Sequence, residues 1–443
     1  MTSTNETTDT EPALVRSIGP FQLTLYALGS MLGSGIYGLI GQAAGQVGSA
    51  VWLSFLVALV AALLTALSYA SLASRHPRAG GAAYVIQRAF HVPLLSFTVG
   101  LALVCSGLTS VAAQSRVFAV NIAALSGADM VPTEWIALGF ILIMTGLVFR
   151  GIRESMWVNV LCTLIEAGGL LLVIAFGMSS WGSTNYLEIP PEKIDTGLAL
   201  LVLQGTALTF FAFIGFEDAI NVAEECKTPE RTIPIGLISA SLLAAVLYVA
   251  VAITAVSVVP WRELSSAPSP LTEVMKRAAP EFPSVIMTFI TLFAVANTAL
   301  VNYITASRLI YGMSKQRLLP DVLGRVHEGR RTPHIAIVAL LAVLTPLALF
   351  GSIKELASAT VLLLFVFTIV NAALLALQRR KGDAPGRFEV PSFVPLLGGI
   401  VCAGLILVRL TSNDWIAPAL AATMLAGIVA LYAVLRPEVL EEA

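Results

Sequence analysis

From residue 20 onward the chain is a succession of long apolar runs broken by short polar connections. The runs lie near 20–42, 47–72, 94–120, 133–149, 155–177 and 198–222, and then near 234–258, 283–311, 333–350, 356–377, 392–410 and 414–435. A helix needs roughly 20 apolar residues to cross a bilayer, so the pattern predicts an all-α membrane protein with twelve transmembrane helices. An even number of spans puts both termini on the same side. Composition adds one point: apolar residues make up 57% and charged residues 12% of the 443, about half the charged share of soluble domains. Neither a glycine-rich phosphate loop nor a metal-spaced His/Cys cluster occurs in the sequence. A nucleotide-driven or metal-dependent enzyme is not expected, and no cofactor is.

Lys and Arg accumulate in cytoplasmic loops, which orients the spans. With the N-terminus inside, nineteen cations fall in inner segments and six in outer ones (Lys193, Arg262, Lys276, Arg277, Lys354 and Arg409). Both termini are therefore expected in the cytoplasm of a plasma-membrane protein. Arg116, near the outer end of the third span, is expected to snorkel. Cys105, Cys162, Cys226 and Cys402 are expected to be small buried hydrophobes rather than a disulfide framework. The N-terminal "MTSTNETTDTEP" is polar and acidic, unlike a signal peptide. Its Asn-Glu-Thr would lie inside the cell, where glycosylation is not expected.

The first span holds "LGSMLGSGIYGLIG", with five glycines in fourteen residues. Spacings Gly29–Gly33 and Gly41–Gly45 suit close helix packing, but packing alone leaves Gly33-Ser34-Gly35 at mid-span unexplained. Two glycines around a serine suit a helix that stops and restarts. Backbone breaks at membrane depth are tolerated where they line a protein-enclosed cavity. Repeat-built transporters carry such breaks at matching places in their two halves, so span six should be broken too. It reads "LTFFAFIGFEDAINVAEECKTPERTIP", with Gly215 beside Glu217 and Asp218. Two broken helices predict a five-plus-five inverted repeat. Freed amides would face an anion and freed carbonyls a cation, a pair that suits a zwitterion.

"GSGI", "RAGGAAYVIQRAF", the span-six segment and "SRLIYGMSKQRLLP" together resemble the amino acid–polyamine–organocation (APC) superfamily of permeases. The resemblance covers nearly the whole chain. It implies the LeuT-type fold, with a ten-helix transport core at 19–378 and helices 11 and 12 at 392–436 outside it. A cytoplasmic tail at 1–18, a loop at 379–391 and a C-terminus at 437–443 complete the expected domains. It also implies that the substrate carboxylate meets the helix-one break at Gly33, Ser34, Gly35 and Ile36. The amino group would meet carbonyls near Phe211, Ile214 and Gly215, with Phe211 as an aromatic lid.

Proton-driven transport needs a titratable group in the membrane. No histidine lies deep in a span (His334 stands at the very start of its run), which leaves Glu166, Glu217 and Asp218. Glu166, at mid-membrane in "LCTLIEAGG", stands where many members of the family carry lysine, so a lysine-based coupling mechanism does not transfer. Glu166 and Glu217 are the candidate proton carriers. Asp218 could instead favour cationic substrates. The expectation is an amino acid permease working by alternating access and coupled to protons, with a proton gradient as driving force. An obligate exchanger and a channel are the alternatives. Its partners would be a small amino acid substrate and the bilayer, not nucleic acid.

Overall fold

A computed structural model describes residues 14–126, 131–267, 269–350, 361–380, 382–410 and 416–437. The start of the tenth predicted span, Lys354, the Asn-Glu-Thr site, most of the 1–18 tail and nearly all of 437–443 lie outside the described residues. Among the described residues the structure is helical, apart from an isolated parallel bridge between Ile18 and Cys226. In the first half, α1 (Pro20–Val47), α2 (Val51–Arg75), α4 (Pro93–Ser126), α5 (Thr133–Arg150) and α6 (Ile152–Gly177) form spans one to five. A short amphipathic helix, α3 (Gly81–Phe90), precedes span three. Span six is α7 (Leu198–Thr209), a 3-10 turn at Phe210–Phe213 and α8 (Asp218–Asn221).

The second half continues with α9 (Pro229–Val258), then α10 (Trp261–Ser266) and α11 (Pro270–Ala278) within the predicted outer loop. Spans eight to twelve are α12 (Ser284–Lys315), α13 (His334–Phe350), α14 (Val361–Arg379), α15 (Phe393–Leu410) and α16 (Ile416–Leu435). Eight described stretches are long and apolar enough to cross a membrane, with three shorter apolar helices at His334–Phe350, Phe393–Val408 and Ala419–Leu435. With α1 these account for the twelve predicted spans.

Span seven starts five residues earlier than its apolar pattern indicates. Pro229 opens α9, where its missing amide costs nothing. Pro234, inside the helix, leaves the Glu230 carbonyl without its usual amide, and Ser74 Oγ donates to that carbonyl at 3.3 Å. Arg116 also departs from expectation. Instead of reaching lipid headgroups, its Nε and Nη2 donate to the Ala348 and Leu349 carbonyls at 2.8 and 2.6 Å, and Nη1 lies 3.7 Å from Glu134. It holds carbonyls of the last described turn of α13. All four cysteines are free, and Cys226, placed by its charged surroundings in a loop, is fully buried.

Three of the quoted motifs meet at one end of the bundle. Gly80 (φ 90°) packs so closely on Gly312 of α12 that a Cβ on Gly312 would overlap the Gly80 backbone, and one on Gly80 would crowd Gly312 at 3.2 Å. A Cβ on Gly81 would collide with Asn221, and Ala79 donates its amide to Glu224 at 2.9 Å. The same end is closed by Ser17 and Ile18, whose amides both donate to the Glu225 carbonyl at 2.9 Å, while Lys227 donates back to Ile18 at 3.0 Å. The Arg308 guanidinium grips the Glu225 carboxylate through Nε and Nη2, both at 3.1 Å, with side-chain exposures of 1% and 0%. Span eight is thereby tied to the end of span six, and span six to the start of span one.

Candidate functional site

The first span breaks where its glycines cluster. Gly33 leaves helical geometry at φ −7°, ψ −170° within α1. Its space is taken by Thr298 of α12, whose hydroxyl a Cβ at Gly33 would strike. The break in span six spans the turn between α7 and α8, with Gly215 at φ 128°. That conformation belongs to glycine. A Cβ there would lie 2.6 to 2.8 Å from the hydroxyl, carbonyl carbon and oxygen of Ser30 in α1. Further along, Gly35 faces Ala212, 3.7 Å from a Cβ position to the Ala212 Cα. The structure thus brings the two broken helices face to face along one seam, Gly215 against Ser30 and Gly35 against Ala212, while Gly33 turns toward α12. Ile36 is buried, whereas Phe211 and Ile214 are partly buried. The side chain of Ser34 lies outside the described residues.

Polar groups hold the seam together. Tyr248, in span seven and fully buried, has its hydroxyl 2.6 Å from the Met31 carbonyl and 2.9 Å from the Ala212 carbonyl. One proton serves two carbonyls, one from each broken helix. Glu217 Oε2 accepts from the Gly215 amide at 2.8 Å, so its carboxylate folds back on the unwound turn. Asp218 Oδ2 accepts from Ser30 Oγ at 2.5 Å, which ties the same turn to α1. Beside Ser30, the Tyr26 hydroxyl and Thr305 Oγ1 lie 3.0 Å apart.

Behind the helix-one break, α1, α6 and α12 enclose a second polar cluster. Asn159 Nδ2 donates to Asn297 Oδ1 at 2.7 Å, and Asn297 Nδ2 donates to Thr163 Oγ1 at 2.9 Å. Thr163 Oγ1 in turn donates to the Leu25 carbonyl at 3.2 Å. Glu166 is fully buried here, and its Oε2 takes only a long 3.4 Å bond from Asn297. Glu166 Oε1, Asn159 Oδ1 and the Tyr37 hydroxyl are buried without a hydrogen-bond partner among the described residues. Gly29 makes room for the cluster, because any Cβ would overlap Thr163 and Asn297. An acid in this setting faces amides and hydroxyls, not a cation. Buried polar groups are ordinarily satisfied, so orphaned oxygens around one carboxyl mark a place where something binds or moves.

Asn159, Asn297 and Tyr248 were not singled out from the sequence. The two asparagines had a legible signal, an amide side chain in the middle of an apolar run. Tyr248 had none, because a tyrosine in an apolar span is ordinarily packing.

A family model described as amino acid permease matches residues 18–433. The chain belongs to the amino acid permease family. It is similar to the branched-chain amino acid permease BcaP of Bacillus subtilis (strain 168), 30% identical over 90% of this chain and 89% of that protein. A methylthioribose transporter of the same organism is 29% identical, covering 89% and 88%. Cationic amino acid transporter 4 of Mus musculus is 29% identical over 86% of this chain and 62% of its own length. Membership makes the chain an amino acid permease and not an enzyme. The two broken spans and the helices beyond the tenth agree with the LeuT-type architecture of the APC superfamily.

Proposed function

We propose that this permease moves an α-amino acid across the plasma membrane by alternating access, with the proton gradient as its driving force and both termini in the cytoplasm. The observation that carries the reading is the placement of a buried, underpartnered carboxyl, Glu166, directly behind the break in span one. The substrate carboxylate is assigned to the amides around Gly33, Ser34 and Gly35, with Ile36 beside them. The ammonium is assigned to the carbonyls of the span-six turn around Phe211, Ile214 and Gly215. Two facing breaks at mid-depth support a carrier, where a channel would need a continuous path.

Glu166 is the proton carrier in this scheme. Its proton sits on a carboxyl that accepts from the Asn297 amide, and loss of that proton puts a negative charge against the cluster under α1. A charge appearing there biases the helix that holds the substrate carboxylate, which couples the two events. Glu217, bonded to the Gly215 amide, is the second candidate and acts on the span-six side.

Wild-type protein in proteoliposomes tests the function. An imposed inward proton gradient should drive accumulation of at least one of the twenty amino acids above its external concentration. Uptake indifferent to the gradient, together with complete dependence on internal substrate, would make the protein an obligate exchanger instead.

A further inference from the structure

The basic end of the bundle carries a cavity of about 500 Å³ that is separate from the transport seam. Its walls come from four separate places in the chain. Arg16 lies on the segment before α1, Arg153 in the first turn of α6, Lys227 just after span six, and Arg330 in the loop before α13. Among the described residues one carboxylate, Glu154, lines it against these four cations. Among the described residues none of the four forms an ion pair; Arg330 stacks on the Phe149 ring at 4.6 Å, which leaves its charge uncompensated. Four like charges gathered by four segments outnumber the single carboxylate among the described lining residues and repel one another, and an anion in the cavity relieves that repulsion.

The membrane side of the same cavity is apolar. Trp157 lines it and is 58% exposed, and one and two turns further along α6 come Leu161 at 56% and Leu164 at 53%. Residues at these spacings share a helix face, so an exposed apolar stripe runs from the cavity along the span. Tryptophan is enriched where headgroups meet acyl chains. Room for a whole phospholipid headgroup, four cations and an adjoining acyl-chain track describe one ligand class.

We propose that this cavity binds the phosphate headgroup of an anionic phospholipid, with its acyl chains lying along the Trp157–Leu161–Leu164 face of α6. Arg16 and Lys227 flank the backbone pairing between residues 17–18 and 225–227. A headgroup held by all four cations therefore ties the joined ends of spans one and six to the corner between spans four and five. The site is independent of the coupling mechanism.

Purified protein is titrated with phosphatidylglycerol and with phosphatidylcholine of identical chains, and retained lipid is counted by native mass spectrometry. The wild type should retain the anionic lipid with a preference on the order of tenfold or more, as expected for several cations near a headgroup. Arg153→Gln/Lys227→Gln should lose most of that preference. The charge-conserving Arg153→Lys/Lys227→Arg should keep it, as should Arg317→Gln/Arg325→Gln elsewhere on the basic end. All four side chains in the first two variants' cavity are exposed, so folding is checked by elution profile alone. Equal retention of the two lipids by the wild type, or an unchanged preference in Arg153→Gln/Lys227→Gln, would overturn the proposal. So would full displacement of the lipid by excess inorganic phosphate, since the cavity would then be a site for a free anion.

Discussion

Glu225 and Glu166 are equally shut off from solvent, each at 0% exposure, yet their surroundings differ in kind. Glu225 meets the Arg308 guanidinium through two hydrogen bonds, and its charge is balanced where it sits. Glu166 meets one asparagine amide at 3.4 Å and keeps an oxygen with no partner among the described residues. A paired buried carboxylate is held in one state. An unpaired one is stable when protonated and costly when charged, which is the property a proton carrier needs. The first acid fastens helices at the end of the bundle; the second lies behind the substrate seam.

The largest effect that would separate them is on folding. Glu225→Gln leaves the Arg308 guanidinium buried and unpaired, which costs about 3–5 kcal/mol. Expression and thermal stability should fall sharply. Removing both charges in Glu225→Gln/Arg308→Met should recover much of the loss, read as a double-mutant cycle. Glu166→Gln, by contrast, should change the melting temperature little. A Glu166→Gln protein as unstable as Glu225→Gln would erase the distinction.

The glycines at the two breaks sharpen it further. Gly215→Ala forces a side chain into φ 128° and against Ser30, at a cost of about 1–3 kcal/mol. Substrate-dependent thermal stabilisation should disappear in that variant. At Gly35 the nearest backbone atom to an added Cβ is 3.7 Å away, ordinary contact distance. Gly35→Ala should therefore bind substrate, while Gly35→Leu should insert normally and fail to bind. Retained affinity in Gly35→Leu would reduce that glycine to a packing residue.

A smaller effect comes from the paired acids outside the spans. Arg75 holds Glu389 through Nε and Nη2, both at 2.9 Å. Burial raises the Glu389 carboxyl, but the bonds from Arg75 and Gln378 outweigh it and bring it below the ordinary glutamate value. Its stabilisation is therefore present above the ordinary value of 4.5 and is lost as pH falls through the lowered one. Glu389→Gln should cost at most about 1 kcal/mol, as partly exposed pairs do. Stabilities of variant and wild type should converge as pH falls through the lowered Glu389 value, below 4.5. A constant gap across that range would assign the difference to something other than charge.

Much of the fold was legible because it rests on length and apolarity. Twelve runs became twelve helical spans, and Gly33-Ser34-Gly35 and Gly215 mark both breaks in the sequence itself. Glycine announces a break because few other residues tolerate the backbone it needs. What the sequence did not disclose depends on which helices meet. Arg116 was expected to reach lipid, but its target is the end of α13, more than 200 residues away. Ser30 as the partner of Asp218, and Asn297 as the neighbour of Glu166, likewise lie across long separations. No local pattern encodes those pairings. The extent of α9 escaped for a nearer reason, since the apolar run begins only at 234 and the polar first turn carries no apolar signal, while Ser74, on another helix, makes Pro234 tolerable inside the helix.

Glu166→Gln in proteoliposomes tests the central claim most directly. Glutamine keeps the size and hydrogen-bonding reach of the carboxyl but carries no titratable proton. Concentrative uptake driven by an imposed pH gradient should collapse in the variant, and the pH dependence of uptake should flatten. Exchange of internal for external substrate should survive, because exchange moves no net proton. Gradient-driven accumulation at the wild-type level would contradict the account and pass the role to Glu217.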